Sequence, residues 1–254
     1  KEFNFDGVIA SNTTIEKGDL ILQSTADLSG GLSGKPLLKI NGLSIISHVF
    51  KKALEADIGE VYVATEDKEI MQDVHSNGGQ AILTGNTHKT GTDRIFEALN
   101  KLGKSDIELV MNLQGDEPLM NIDDIRKLHT QMIKSKSSLG TLASNILDKD
   151  LYQNENIVKV ITKEKLNSKN FTEALNFFRK NSLLKNSNIY HHIGIYIYKV
   201  SILEKFINFK QTKNEIDNRL EQLRALDNNI KIMVGLAKSA PIGVDTKEDF
   251  LAIK

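Results

Sequence analysis

A chain of 254 residues with 40% hydrophobic content can bury a full core, either as one large domain or as a core with a subdomain. Its 33 basic and 33 acidic side chains cancel, so no global field draws it to nucleic acid or to an anionic bilayer, and any anion site must be built locally. Without cysteine there is no disulfide framework, thiolate metal site or thiol nucleophile; with no apolar run near the roughly 18 residues of a spanning helix and no leader-like start, the sequence reads as soluble and intracellular.

Ile45, Ile46, Val49, Phe50, Ala53 and Leu54 recur at helical spacing and predict a helix over 44–55, followed by a buried strand over 60–64. A second unit runs from a helix at 67–75, through the turn Asn77-Gly78-Gly79, into a strand at 80–83. A third joins a helix at 93–102 to an apolar strand ending at Gln114, and an amphipathic helix at 122–136 then precedes a strand at 139–145. This alternation predicts an α/β fold with a parallel sheet and covering helices. After about residue 150 the rhythm changes. The polar stretch 162–169 reads as a turn and 191–198 alternates like a strand of a mixed sheet, so a smaller element is expected here. A helix at 216–226, a strand at 231–234 and a closing helix at 246–253 complete the chain, the last signalled by Asp245-Thr246-Lys247-Glu248.

Two acids stand out by context. Asp116 lies in the turn Gln114-Gly115-Asp116-Glu117-Pro118, straight after an apolar strand, and Asp245 lies in Gly243-Val244-Asp245-Thr246, before the last helix. Open α/β sheets bind ligands beyond the carboxyl ends of their strands, where two such carboxylates can converge on one Mg²⁺. The alternative is that Asp116 caps its turn and Asp245 caps the final helix. Gly91-Thr92-Asp93-Arg94 sets a guanidinium at a helix start that already favours anions, unless Arg94 is a surface arginine on a capped helix. In His191-His192-Ile193-Gly194-Ile195-Tyr196, strand alternation puts His192, Gly194 and Tyr196 on one face, a polar surface suited to a sugar. Glu221-Gln222-Leu223-Arg224 offers donors and acceptors on the predicted helix, or simply a solvated face.

Taken in order, Gly34-Lys35-Pro36-Leu37-Leu38, Val63-Ala64-Thr65, Gly91-Thr92-Asp93-Arg94, Asn112-Leu113-Gln114-Gly115-Asp116-Glu117-Pro118, His192-Ile193-Gly194-Ile195-Tyr196, Leu220-Glu221-Gln222-Leu223-Arg224 and Gly243-Val244-Asp245-Thr246 resemble the 3-deoxy-manno-octulosonate (Kdo) cytidylyltransferase family, the CMP-Kdo synthetases. The resemblance implies a Rossmann-like nucleotidyltransferase with a mainly parallel central sheet and a smaller inserted mixed-sheet element. It implies one cytidylyltransferase-like domain over 1–254, atypical at 1–33, with a sugar-binding and dimerisation element at about 150–215. The implied enzyme is a cytoplasmic homodimer that couples CTP to Kdo, giving CMP-Kdo and pyrophosphate for lipopolysaccharide synthesis. The sugar's anomeric hydroxyl attacks the α-phosphorus with no covalent enzyme intermediate, and Mg²⁺ is the cofactor. By position, Asp116 and Asp245 would hold Mg²⁺ and Lys35 would reach the triphosphate. Arg94, Gln114, His192, Tyr196, Glu221 and Gln222 would surround the sugar acid. A cytidylyltransferase for another acidic sugar, or an inactive sugar-binding homologue, are the alternatives.

Residues 1–33 depart from that pattern. The family opens with an apolar strand and a loop carrying two arginines before Gly-Lys-Pro, whereas Phe5-Asp6-Gly7-Val8-Ile9-Ala10-Ser11-Asn12-Thr13-Thr14 and Gly30-Gly31-Leu32-Ser33-Gly34-Lys35-Pro36-Leu37 look like dihydroorotate dehydrogenase, an FMN enzyme. A fragment of this size cannot close a (β/α)₈ barrel, which needs at least about 200 residues, so neither flavin nor dehydrogenase chemistry is expected. Gly7-Val8-Ile9-Ala10 is expected to fill the place of the first strand. No arginine precedes Arg94, which leaves Lys35 as the evident cation of the loop. Two lost charge-assisted contacts, at about 1.5–3 kcal/mol each, correspond to a roughly 10²- to 10⁴-fold loss in CTP binding or turnover.

Overall fold

The computed structural model describes residues 7–11, 38–180, 188–241, 243–244 and 247–254. In chain order the elements are β1 (Gly7–Ser11), β2 (Lys39–Ile40), β3 (Leu43–Ser44), α1 (Ile45–Ala56), β4 (Val61–Thr65), α2 (Lys68–Ser76), β5 (Gln80–Leu83), α3 (Gly91–Leu102), β6 (Leu109–Gln114), α4 (Ile122–Ser135), β7 (Leu139–Ser144), β8 (Lys159–Thr162), β9 (Phe171–Phe178), β10 (Ile189–Lys199), α5 (Val200–Asn208), α6 (Lys213–Asn218), α7 (Leu223–Asp227), β11 (Met233–Leu236) and α8 (Lys247–Ile253). Contacts group them into two compact units. The first takes in Val8–Lys104, Asn112–Met120 and Pro241–Lys254; the second takes in Ser105–Met111 and Asn121–Ala240.

In the first unit β4 lies between β1 and β5, parallel to both, in registers that run from Val8↔Val61 to Ser11↔Ala64 and from Tyr62↔Gln80 to Thr65↔Leu83. The atypical N-terminal segment therefore does supply a strand. β4 is buried at all five positions, as its unbroken apolar run requires. The β2–β3 hairpin closes through Asn41 and Gly42, both at positive φ (50° and 82°), the pair that a two-residue turn of the right twist demands. Its last residue, Ser44, is the N-cap of α1 and accepts from the Ser47 N–H at 3.2 Å. Ile45, Ile46, Val49, Phe50, Ala53 and Ala56 then form the buried stripe of that helix. Asp67 and Thr90 cap α2 and α3 in the same way.

The second unit is a mixed sheet. β7 runs antiparallel to β10 and parallel to β11, β11 is antiparallel to β9, β9 to β8, and β8 pairs in turn with β10. Five strands thus return to the one they began with, which removes the open edges a short sheet would expose. A register shift between Ile193 and Tyr196 interrupts β10 where it crosses β7.

The helices and strands expected in the first half fall within a few residues of their observed positions, while the short β2–β3 hairpin had no counterpart among them. Three elements of the second half, β8, β9 and α5, went unforeseen. The predicted helix over 216–226 is corrected: it is two short helices, α6 and α7, separated by Arg219 in the left-handed region at φ 53°. The apolar spacing there is helical, but tertiary bonds between the two halves, described below, override it.

Candidate active site

Arg94 sits in the first turn of α3, which Thr90 opens by accepting the Asp93 N–H at 3.2 Å. Its side chain is 1% exposed. Nη1 donates to Thr84 Oγ1 at 2.7 Å and to the Gly85 carbonyl at 3.2 Å, while Nη2 pairs with Glu66 Oε2 at 2.5 Å. Glu66 directly follows β4, and Thr84 and Gly85 follow β5, so one buried guanidinium ties together the carboxyl ends of two parallel strands. The loop after β5 is held a second time. Glu97 of α3 accepts the Gly85 N–H at 3.0 Å, pairs with Lys101 at 2.7 Å and meets the His88 ring. Burial pushes the Glu97 carboxyl up, but the bonds from Lys101, His88 and Gly85 outweigh it and bring the pKa down to about 2.

Beyond β6 the chain turns, with the Glu117 N–H donating to the Gln114 carbonyl at 3.3 Å. Gln114 and Asp116 are half-buried in this turn. The Asp116 carbonyl accepts the N–H of Val244 at 2.9 Å, which brings the segment before α8 against the turn. Val244 is fully buried with Ile40 and Ile45, and Phe250 and Ile253 of α8 pack on the same cluster. Asp245 and Lys35 lie outside the described residues. Among the described residues no group of three or more His, Asp or Glu side chains is arranged to hold a metal. A Mg²⁺ held by one or two carboxylates and substrate phosphates needs no such cage. No helix among the described residues is long and apolar enough to cross a membrane.

The second unit gathers four of the candidates. Tyr196, Glu221 and Gln222 line one cleft with Leu139, Tyr198, Phe206 and Ala225. The His192 ring lies 5.4 Å from that of Tyr196, with Phe177 edge-on to it at 5.1 Å and Tyr198 continuing the row 5.9 Å beyond Tyr196. The shared face expected of His192 and Tyr196 survives the irregularity in β10. Thr141 accounts for part of that. Its hydroxyl donates to the Ile195 carbonyl at 2.7 Å and has a lone pair left for His192 Nε2 at 3.1 Å, which favours the proton on Nε2. Burial, helped by the charge of His191, lowers the His192 pKa to about 3, so the ring is neutral in ordinary buffers. Burial likewise raises the Tyr196 phenol well above its usual range, with smaller contributions from Tyr198 and Glu221, and keeps it a hydrogen-bond donor.

Glu221 and Gln222 do not lie on a helix face as expected. They occupy the turn between α6 and α7, with Gln222 as the N-cap of α7. Arg224 fixes that turn: its Nε and Nη2 donate to Glu215 at 2.8 and 2.5 Å, and its Nη2 is 3.7 Å from Glu221.

Sequence reading passed over Glu66, although it occupies the same strand-to-helix position as Asp116, directly after Val63-Ala64-Thr65. It also passed over Thr141, for which a buried strand hydroxyl gives no sequence signal.

The cytidylyltransferase family model matches residues 28–232. The chain is 42% identical over 226 residues to the 3-deoxy-manno-octulosonate cytidylyltransferase of Thermodesulfovibrio yellowstonii, covering 85% of this chain and 89% of the relative. It is 38% identical over 240 residues to the same enzyme of Afipia carboxidovorans, covering 94% and 96%. A solved structure of CMP:2-keto-3-deoxy-manno-octonic acid synthetase complexed with CTP superposes with a TM-score of 0.82 at 30% identity, covering 98% of this chain and 96% of that one. The likeness of residues 1–37 to dihydroorotate dehydrogenase finds no support here, since the family model already begins at residue 28 and the structural match spans nearly the whole chain.

Proposed function

Because the chain belongs to the cytidylyltransferase family, we propose that it transfers CMP from CTP to Kdo, giving CMP-Kdo and pyrophosphate for lipopolysaccharide synthesis. The observation that carries this reading is the 42% identity, over 85% of the chain, to a Kdo cytidylyltransferase; the gathering of Tyr196, Glu221 and Gln222 near a neutral His192 supports it. The fold it assumes is a Rossmann-like domain with a mainly parallel central sheet and a smaller mixed-sheet insertion. The parallel register of β1, β4 and β5 and the closed ring of β7 to β11 support that assumption.

The reaction needs the anomeric hydroxyl of the sugar in line with the α-phosphorus and the pyrophosphate free to leave. Such transfers depend on positioning and charge stabilisation far more than on acid or base strength. The residues present suit that demand. A neutral His192, a protonated Tyr196 and the amide of Gln222 donate or accept hydrogen bonds without titrating, and Glu221 accepts from sugar hydroxyls. Gln114 and Asp116, at the end of β6, belong to the same reaction. Arg94 enters by fixing Glu66 and the strand ends through Nη1 and Nη2, while its buried Nε–H is left without a partner among the described residues.

Asp116 and Asp245 would hold Mg²⁺, and Lys35 would meet the triphosphate; the Val244 to Asp116 backbone bond supports the pairing, because it holds the residue before Asp245 at the Asp116 turn. Bound there, the ion neutralises charge on the phosphates. A cytoplasmic homodimer, with residues at about 150–215 in its interface, completes the reading.

The test is pyrophosphate release by the purified protein with CTP, Mg²⁺ and a panel of sugar acids. Release with Kdo and not with a sialic acid is expected; release with another acid alone would reassign the acceptor, and sugar binding with no turnover would make the chain a binding homologue.

A further inference from the structure

We infer that Glu215 and Arg224 form a clasp whose work is to present Glu221 and Gln222 to the acceptor sugar, which makes Arg224 a positioning residue of the reaction. The inference rests on the reading above for what the cleft binds.

α6 begins with a reciprocal cap: Thr212 Oγ1 accepts the Glu215 N–H at 3.1 Å, and Glu215 Oε2 accepts the Thr212 N–H at 3.2 Å. Glu215 is thereby fixed in place. Its carboxylate then receives both arms of the Arg224 fork, nine residues further on, with both side chains 4% exposed. α6 has six residues and α7 five, too few for either to hold its shape alone, so the ion pair sets their mutual position. Between them Arg219 is left-handed, uncommon for a residue with a side chain, and the Leu220 N–H returns to the Glu215 carbonyl at 3.2 Å.

The same guanidinium reaches the cleft. It lies 4.7 Å over the Phe206 ring, which lines the cleft, and 3.7 Å from the Glu221 carboxylate, which also lines it. One buried cation therefore joins the acid that anchors the turn to the acid that faces the sugar. Lysine keeps the charge but cannot fork; methionine removes both.

Wild-type pyrophosphate release from CTP and Kdo decides the underlying reading by itself. The clasp is decided by Arg224→Lys, Arg224→Met and Glu215→Gln. In Arg224→Met the KM for the sugar acid is expected to rise about 10- to 30-fold, with kcat and the KM for CTP within about 2-fold, and Arg224→Lys to recover part of the loss. A sugar KM within about 2-fold of wild type in a folded variant, or an equal rise for both substrates, would overturn the inference. Amide exchange of residues 219–225 needs no substrate. Faster exchange confined to that turn in Glu215→Gln and Arg224→Lys supports the clasp, even where Arg224→Met fails to fold, and unchanged exchange there refutes it.

Discussion

The backbone N–H of Val244 donates to the carbonyl of Asp116 at 2.9 Å, tying the segment that leads to Asp245 to the turn after β6. Two stretches far apart in the chain are thus joined by one backbone contact, with Val244 anchored in the core formed by Ile40 and Ile45. If the Asp116 and Asp245 carboxylates share an ion, removing one charge weakens the ion more than it weakens nucleotide or sugar binding. Asp116→Asn is expected to lower kcat by about 10²-fold or more, the scale of losing a single charge-stabilising group, and to raise the Mg²⁺ concentration needed for half-maximal rate. A Mg²⁺ titration of the variant, with its melting temperature as control, checks it; an unchanged Mg²⁺ requirement would remove Asp116 from the metal site.

His192 gives a prediction with a defined sign. Its folded pKa, about 3, lies well below the value of about 6.5 for an unfolded histidine. Between those values the unfolded chain binds more protons, so this residue contributes stability that is present above about pH 6.5 and is lost as pH falls, at up to about 1.4 kcal/mol per pH unit. Denaturant unfolding at pH 7, 6 and 5 should show that decline, and His192→Gln should flatten it. The pH profile of kcat/KM should likewise carry no limb from His192 between pH 6 and 8.

The Arg94 ion pair sets a different expectation. Breaking a fully buried pair from one side costs about 3–5 kcal/mol. Glu66 keeps a quarter of its side chain exposed, so Arg94→Met should cost less, about 2–3 kcal/mol by the same comparison. Calorimetry or urea unfolding measures it. Replacing Glu66 as well should recover part of the loss, since no uncompensated acid then remains at the end of β4.

How far the sequence disclosed all this depended on whether the interactions were local. α1 to α4 and β4 to β7 follow from apolar spacing and from caps such as Ser44, Asp67, Thr90 and Asn121, which act within three residues. The segment 216–226 misled because its ending is set by a bond between Glu215 and Arg224 that periodicity does not encode. Asp116, His192, Tyr196, Glu221 and Gln222 were legible as candidates from their motifs. Glu66 was not, because its meaning comes from a guanidinium 28 residues away.

Gly235 tests the packing behind the mixed ring. A Cβ built there would stand 2.2 Å from Gln131 Oε1 and 3.2 Å from Leu142 Cδ2. Gln131 is a flexible side chain and could swing aside, but its Nε2 donates to the Asn170 carbonyl at 2.8 Å, so yielding costs that bond. Gly235→Ala is therefore expected to destabilise the protein by about 1–3 kcal/mol, the usual range for an overpacked site. Gln131→Ala should cost less in the Gly235→Ala background than in wild type, because the clash and the bond cannot both be kept. Urea unfolding of the four proteins measures the coupling, and strictly additive losses would show that β11 moves away from α4 instead.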